Sequence, residues 1–326
     1  MKALRFTDVD NYAVDDVEVP SIEEDEVLVA ARSVGICHSD VELLEGRYII
    51  PFQYPIIPGH EWAGEVVDVG RKVTAFDVGD RVVGECVIGM EHFGFSISGA
   101  AAEYFVAKES WLHALPDELS WTQGALVEPF SCGYYATVRA GNVDASDHAV
   151  VLGAGPIGLG VVAAATAKGA QVHVVDPSSE RAELARRMGA VATWDPTEDG
   201  VEERLRDATD GLGGTAVFEA SGNPTAMADA LRLAAFRARV VFIGIDVGSE
   251  VAAPLGMIQS KELDIKGIIG SPGVWPQTLR FLANSGVDLT PVVTSQYELG
   301  SADDALGAVL GDRSQVKVHI TSAAGA

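Results

Sequence analysis

The stretch HAVVLGAGPIGLGVVAAATAKGA (148–170), with QVHVVD (171–176) behind it, decides how the second half of the chain is read. An apolar run enters Gly153, Gly155 and Gly158, spaced G-x-G-x-x-G, and a helix-like segment carries on from there to about Gly169. A second apolar run ends in an acid, Asp176, 23 residues after Gly153. Strand, glycine turn, helix, strand and acid in that order make a dinucleotide-binding fingerprint, which three glycines alone would not. Gly153 allows the tight turn, Gly155 lets a pyrophosphate approach the backbone, and Gly158 lets helix and strand pack closely. Pro156 and Ile157 open the helix, whose positive N-terminal end faces the phosphates. Asp176 is expected to accept from a ribose 2′-OH and to repel a 2′-phosphate, favouring NAD over NADP. Arg181 is placed either along the adenosine or on an exposed helix face.

Outward from this stretch the alternation continues. A helix is expected at 178–190, a strand at 215–222, a helix to about 235 and a strand at 238–245. Repeated β-α-β units argue an α/β, doubly wound parallel sheet, the Rossmann arrangement. Before residue 140 the texture differs. Short strand-like runs, EVLVAARSVGI (26–36), GEVVDVG (64–70), DRVVGECVIG (80–89) and AAEYFVA (101–107), are punctuated by Gly and Asp, as in a small barrel-like domain. From about 275 a helix near 276–286, strand-like TPVVTSQYEL, a helix over 302–310 and a strand at 316–320 follow. The expected organisation is 1–140, a nucleotide-binding domain over 141–274, and a return segment over 275–326.

Composition narrows the partners. The 326 residues carry 23 Lys+Arg against 47 Asp+Glu, a formal charge of −24. Such a field repels phosphate backbones, so nucleic acid is not an expected partner. Three cysteines, Cys37, Cys86 and Cys132, make no disulfide framework and suit a reducing cytoplasm. No secretory signal and no apolar run of membrane-spanning length is visible.

GICHSD (35–40), GHEWAGEVVDVG (59–70) and EPFSCGYYA (128–136) hold the remaining chemistry. Cys37, His60 and Glu128 offer a thiolate, an imidazole and a carboxylate, all competent for zinc. They are too scattered for a zinc finger. A catalytic site needs only three protein ligands, which distant loops can supply.

G-H-E-x-x-G-x-V-x-x-V-G followed by a Rossmann fingerprint resembles the zinc-dependent medium-chain alcohol dehydrogenase family, from the first strand to near the C-terminus. ALVEPFSCGYYA resembles its polyol branch, that of sorbitol and threonine dehydrogenases. The resemblance implies a GroES-like β-barrel catalytic domain interrupted by the Rossmann domain, one catalytic zinc, and a small-molecule alcohol or ketone substrate. It implies that Cys37, His60 and Glu128 are ligands, and that Glu61 binds zinc directly or exchanges with water. Asp40 would orient His60, Ser39 would pass on the substrate's hydroxyl proton, and His38 would meet the cofactor pyrophosphate. Ser221 within EASG (219–222), Ile243 and Ile269 would line the cofactor. A homo-oligomer, dimer or tetramer, is expected.

Two departures stand out. The four-cysteine zinc lobe of many relatives is missing after GECVIG, where only Cys86 remains. Glu42 stands where relatives often carry a proton-relaying His, and is either a relay carboxylate or a solvated helix residue. YPIIPGHEWAG and FEASGNPTA also resemble aminocyclitol dehydrogenases such as those of 2-deoxy-scyllo-inosamine. The expected activity is therefore NAD-dependent oxidation of a secondary alcohol of a polyol, sugar or aminocyclitol. The rival readings are a zinc-free NADPH-dependent quinone or enone reductase and a non-enzymatic binding relative.

Overall fold

The run that opens the fingerprint becomes the strand His148–Leu152, every residue of which is buried. It lies inside a six-stranded sheet whose pairs are all parallel. Across the sheet the strands run Ala192–Trp194, Gln171–Val175, His148–Leu152, Gly214–Glu219, Ala234–Phe242 and Asp264–Gly267, a sequential order of 3-2-1-4-5-6. The order reverses beside His148–Leu152, whose last residue pairs with Val175 on one side and Glu219 on the other. The turn at Gly153 therefore sits at the switch point where doubly wound sheets receive nucleotides. The expected strand at 238–245 starts and ends earlier, at Ala234 and Phe242. Ile243 and Gly244 lie beyond its end, where both backbone N–H groups donate to the Glu219 carbonyl.

The structure is a computed structural model that describes residues 1–246, 248–312 and 314–323. The chain forms two compact units. One contains Met1–Glu128, Trp275–Gly286 and the residues from Val293 on; the other contains Pro129–Val274 and Val287–Val292. The boundary expected at 140/141 instead falls at 128/129, inside the helix Val127–Arg139. The reason is packing. Gly133 lies so close to the helix Pro156–Ala167 that a Cβ there would stand 2.6 Å from the Val161 nitrogen, which ties the helix body to the nucleotide-binding unit.

In the first unit the strands Val293–Glu298, Lys317–Thr321, Glu26–Ile36, Glu61–Val69, Arg81–Gly84 and Leu112–Ala114 are neighbours in that order. Tyr104–Lys108 pairs with the first half of Glu26–Ile36. Phe6, Val29, Trp62, Phe93, Phe105 and Ile320 are among the buried residues of its core. The run 80–89, expected as one strand, divides into Arg81–Gly84 and Val87–Ile88, and Cys86 falls in the break. Val87–Ile88 pairs with Glu91–His92 in a short hairpin where the cysteine lobe would have begun. The C-terminal strand matters most. Lys317–Thr321 runs antiparallel to Glu26–Ile36, with His319 opposite Gly35 and Val318 opposite Ile36. Among the described residues no helix is long and apolar enough to cross a membrane.

Candidate active site

Three chain segments build the metal-competent cluster. Strand Glu26–Ile36 ends at Cys37, which caps the helix His38–Leu44. Asp40 in the first turn accepts the Cys37 N–H at 2.8 Å through Oδ2, the reciprocal bond that starts helices well. Its other oxygen lies 3.6 Å from His60 Nδ1 and 3.4 Å from the Gly59 nitrogen. One buried carboxylate thus ties the Cys37 turn to the His60 turn. The next residue, Glu61, begins strand Glu61–Val69 and pairs in register with Gly35. A Cβ at Gly35 would lie 2.3 Å from Glu61 Oε2, so the glycine makes room for the carboxylate.

Cys37, His60 and Glu61 each present a ligand atom, all within 4.8 Å of one another. Tetrahedral zinc holds its ligand atoms about 3.3–3.8 Å apart, given bonds of about 2.0–2.3 Å. Sulfur, imidazole nitrogen and carboxylate oxygen are zinc's preferred donors, and small side-chain shifts close the cluster on an ion. Among the described residues His60 Nδ1 is buried without a hydrogen bond, while the Asp40 carboxylate stands beside it to fix the ring. The residues present fit zinc.

Glu128, in the first turn of helix Val127–Arg139, is not one of this close trio. It lies within electrostatic reach of His60, Glu61, Lys317 and Asp40. Burial raises its carboxyl to about 7, His60 pulling down and Glu61 pushing up. Ser39 is half-buried and His38 exposed, both in the first turn of helix His38–Leu44. Glu42 faces Arg47 at 3.4 Å in a partly exposed ion pair.

Three neighbours escaped the sequence reading. Lys317, 3% exposed, donates to Glu61 Oε1 at 2.7 Å and to the Ile36 carbonyl at 3.1 Å. Burial lowers its ammonium's affinity for the proton, but the charge and hydrogen bond of Glu61 together with the Cys37 and Asp40 charges outweigh that and the net shift is upward. A lysine inside the apolar strand VKVHI was the available signal. Cys86 lies within electrostatic reach of His60, Glu128, Cys37 and Asp40, and burial pushes its thiol up to about 12, so it remains neutral. Tyr48 stacks on Phe95 with centroids 4.4 Å apart, and Phe95 packs on the His60 ring at 5.0 Å.

The second unit supplies the cofactor turn. Gly153 has φ +95°, and a Cβ there would collide with Ser221. A Cβ on Gly158 would stand 2.0 Å from the Gly153 carbonyl, whereas around Gly155 there is open space. Gly155 caps the helix and Pro156 occupies its first turn, with Ile157 next. Asp176 is buried and already holds two backbone donors, Ala154 N–H at 2.7 Å and Ser178 N–H at 2.8 Å. Its oxygens retain lone pairs for a ribose. Arg181 is half-buried on helix Ser179–Arg187. Ser221 N–H donates to Glu219 at 2.8 Å; Ile243 is buried and Ile269 exposed.

Comparison with known proteins agrees with both units. The family model "Alcohol dehydrogenase GroES-like domain" matches residues 23–117, and "Zinc-binding dehydrogenase" matches 156–284. The (R,R)-butanediol dehydrogenase of Bacillus subtilis (strain 168) is 34% identical over 98% of this chain and 99% of its own. The sorbitol dehydrogenase of the same organism is 32% identical over 94% of this chain and 92% of its own. The crystal structure of 2R,3R-butanediol dehydrogenase from Bacillus subtilis superposes with a TM-score of 0.89 at 32% identity, covering 98% of this chain and 99% of that one.

Proposed function

The chain belongs to the zinc-dependent medium-chain alcohol dehydrogenase family, in its polyol branch, and from that premise we propose that it oxidises a secondary alcohol of a polyol, sugar or aminocyclitol to a ketone with NAD. The observation that carries this reading is the approach of Cys37, His60 and Glu61 to within 4.8 Å, braced by Asp40. When bound, zinc would supply a Lewis acid that lowers the pKa of the substrate hydroxyl, and the nicotinamide would supply the acceptor for the carbinol hydride.

This chain's own residues do the rest. Cys37, His60 and a carboxylate, Glu61 or Glu128, hold the ion. Asp40 keeps the Cys37 turn and the His60 ring in place. Ser39 takes the hydroxyl proton onward, with Glu42 the next carboxylate along the helix. Glu61, held by Lys317, is the carboxylate that comes within 4.8 Å of both the thiol and the imidazole. The backbone around Gly155 cradles the pyrophosphate, and Asp176 binds the adenosine ribose.

A screen of NAD reduction over polyols, aminocyclitols and simple alcohols, run with metal analysis, tests the reading. One zinc per chain and NADH formed with a polyhydric secondary alcohol are expected. Zinc-free protein that reduces quinones or enones with NADPH would refute it, as would two tightly held zincs per chain.

A further inference from the structure

Beside the metal-competent cluster lies a polar group that the mechanism above does not use. Tyr48 follows the helix His38–Leu44, whose end is closed by Gly46 N–H to the Leu43 carbonyl and Arg47 N–H to the Glu42 carbonyl. Its ring stacks on Phe95 at 4.4 Å and 18°, and Phe95 in turn packs on His60 at 5.0 Å. The segment after Tyr48 is pinned to the same loop, where Gln53 Nε2 donates to the Ser96 carbonyl at 2.9 Å. Tyr48 is therefore set by stacking and by anchors on both sides.

The stack Tyr48, Phe95, His60 puts the tyrosine ring one aromatic layer from the His60 imidazole, and the charges of His60, Cys86, Cys37 and Asp40 act on its phenol. Among the described residues no group hydrogen-bonds its phenol oxygen. Burial raises its pKa, so it remains a neutral hydroxyl able to donate and to accept. The other side chains on this flank are poor hydrogen-bonding partners. Phe95 is apolar, and the Cys86 thiol is a weak donor already turned to the Phe93 carbonyl at 3.8 Å. A half-buried hydroxyl without a protein partner among the described residues, on a ring one aromatic layer from His60, gains most from a ligand that brings a second hydroxyl.

We propose that Tyr48 determines specificity in the reaction proposed above: its hydroxyl hydrogen-bonds a second hydroxyl of the substrate, next to the one oxidised, and so selects vicinal diols and polyols over monohydric alcohols. The inference rests on that reading for the identity of the reaction, and on the stacking of Tyr48, Phe95 and His60 for its geometry. Sites built to hydrogen-bond a substrate hydroxyl discriminate strongly against analogues that lack it.

Tyr48→Phe removes the hydroxyl and keeps the ring that stacks on Phe95. The probes are butane-2,3-diol and butan-2-ol, matched in carbon skeleton. In zinc-loaded protein the ratio of kcat/KM for the diol over the alcohol is expected to fall at least about tenfold in Tyr48→Phe. The ratio of their dissociation constants, read by ligand-observed NMR, should move the same way, with zinc content unchanged. An unchanged ratio, or equal losses with both probes, would overturn the proposal and leave Tyr48 a packing residue. Wild-type protein that turns over neither probe nor any other alcohol would instead overturn the dehydrogenase reading, and the dissociation constants would still decide Tyr48.

Discussion

Replacing Lys317 with Met tests the electrostatic logic of the cluster. Glu61 is 1% exposed and Lys317 3% exposed, so neither charge is shared with solvent. The lysine bonds Glu61 at 2.7 Å and the Ile36 carbonyl at 3.1 Å, and methionine can do neither. Removing one partner of a buried ion pair typically costs about 3–5 kcal/mol, because the other charge is stranded. At about 2–4 °C per kcal/mol, that corresponds to a fall of about 6–20 °C in melting temperature. The raised pKa of Lys317 means that its contribution is fully present below the ordinary lysine range and is lost only as pH rises through the folded value. Measurements near pH 7.5 therefore see all of it. Zinc adds a second arm, since a carboxylate released from Lys317 can turn to a metal ion. The deficit should be larger in chelator-treated protein than in zinc-loaded protein. In Glu61→Gln/Lys317→Met no charge is left stranded, so the double variant should lose less than the sum of the single losses. Differential scanning calorimetry on the four proteins, with and without zinc, reads both effects. Metal-free Lys317→Met melting within about 2 °C of wild type would refute the buried-pair argument.

Three further outcomes follow from the same geometry. Glu128→Gln should lower zinc affinity or turnover at least about tenfold if Glu128 serves the metal; wild-type zinc content and turnover, with at most about 1 kcal/mol lost, would make it a helix-terminal acid and leave Cys37, His60 and Glu61 as the ligand set. Asp176→Gly should narrow the preference in kcat/KM for NAD over NADP, and should also lower the melting temperature, because Ala154 and Ser178 lose their acceptor; equal kcat/KM for the two cofactors in wild type would defeat the first claim. Burial, assisted by the Lys317 charge, holds the His319 imidazole down at about 3, so stability should drain by about 1.4 kcal/mol per pH unit as pH falls below about 6.5 toward that value. His319→Gln should flatten that acid limb by one proton, and an unaltered slope in a titration of melting temperature against pH would count against it.

What the sequence determined is what neighbours in the chain determine. Strand, glycine turn and helix over 148–167 form because apolar run, Gly153 and Pro156 act within a few residues of one another, and Asp176 follows one strand later. The Cys37–Asp40 turn is equally local, a cap and its reciprocal bond. The parallel, doubly wound arrangement followed from repeated β-α-β units, since parallel strands need crossovers of one hand. Tertiary structure decided the rest through register between distant strands. Gly35 stands opposite Glu61 on one side and His319 on the other, and no local pattern announces that pairing. Lys317 reaches Glu61 across 256 residues of chain, only because the last strand returns beside Glu26–Ile36. The relative closeness of Glu61 and Glu128 to the thiol and imidazole was undecidable from spacing, since both are carboxylates and only packing sets the distances. Nothing local in the sequence marks Tyr48; folding stacks it on Phe95, which packs on the His60 ring, because ring contacts exist only once the surrounding groups are in place.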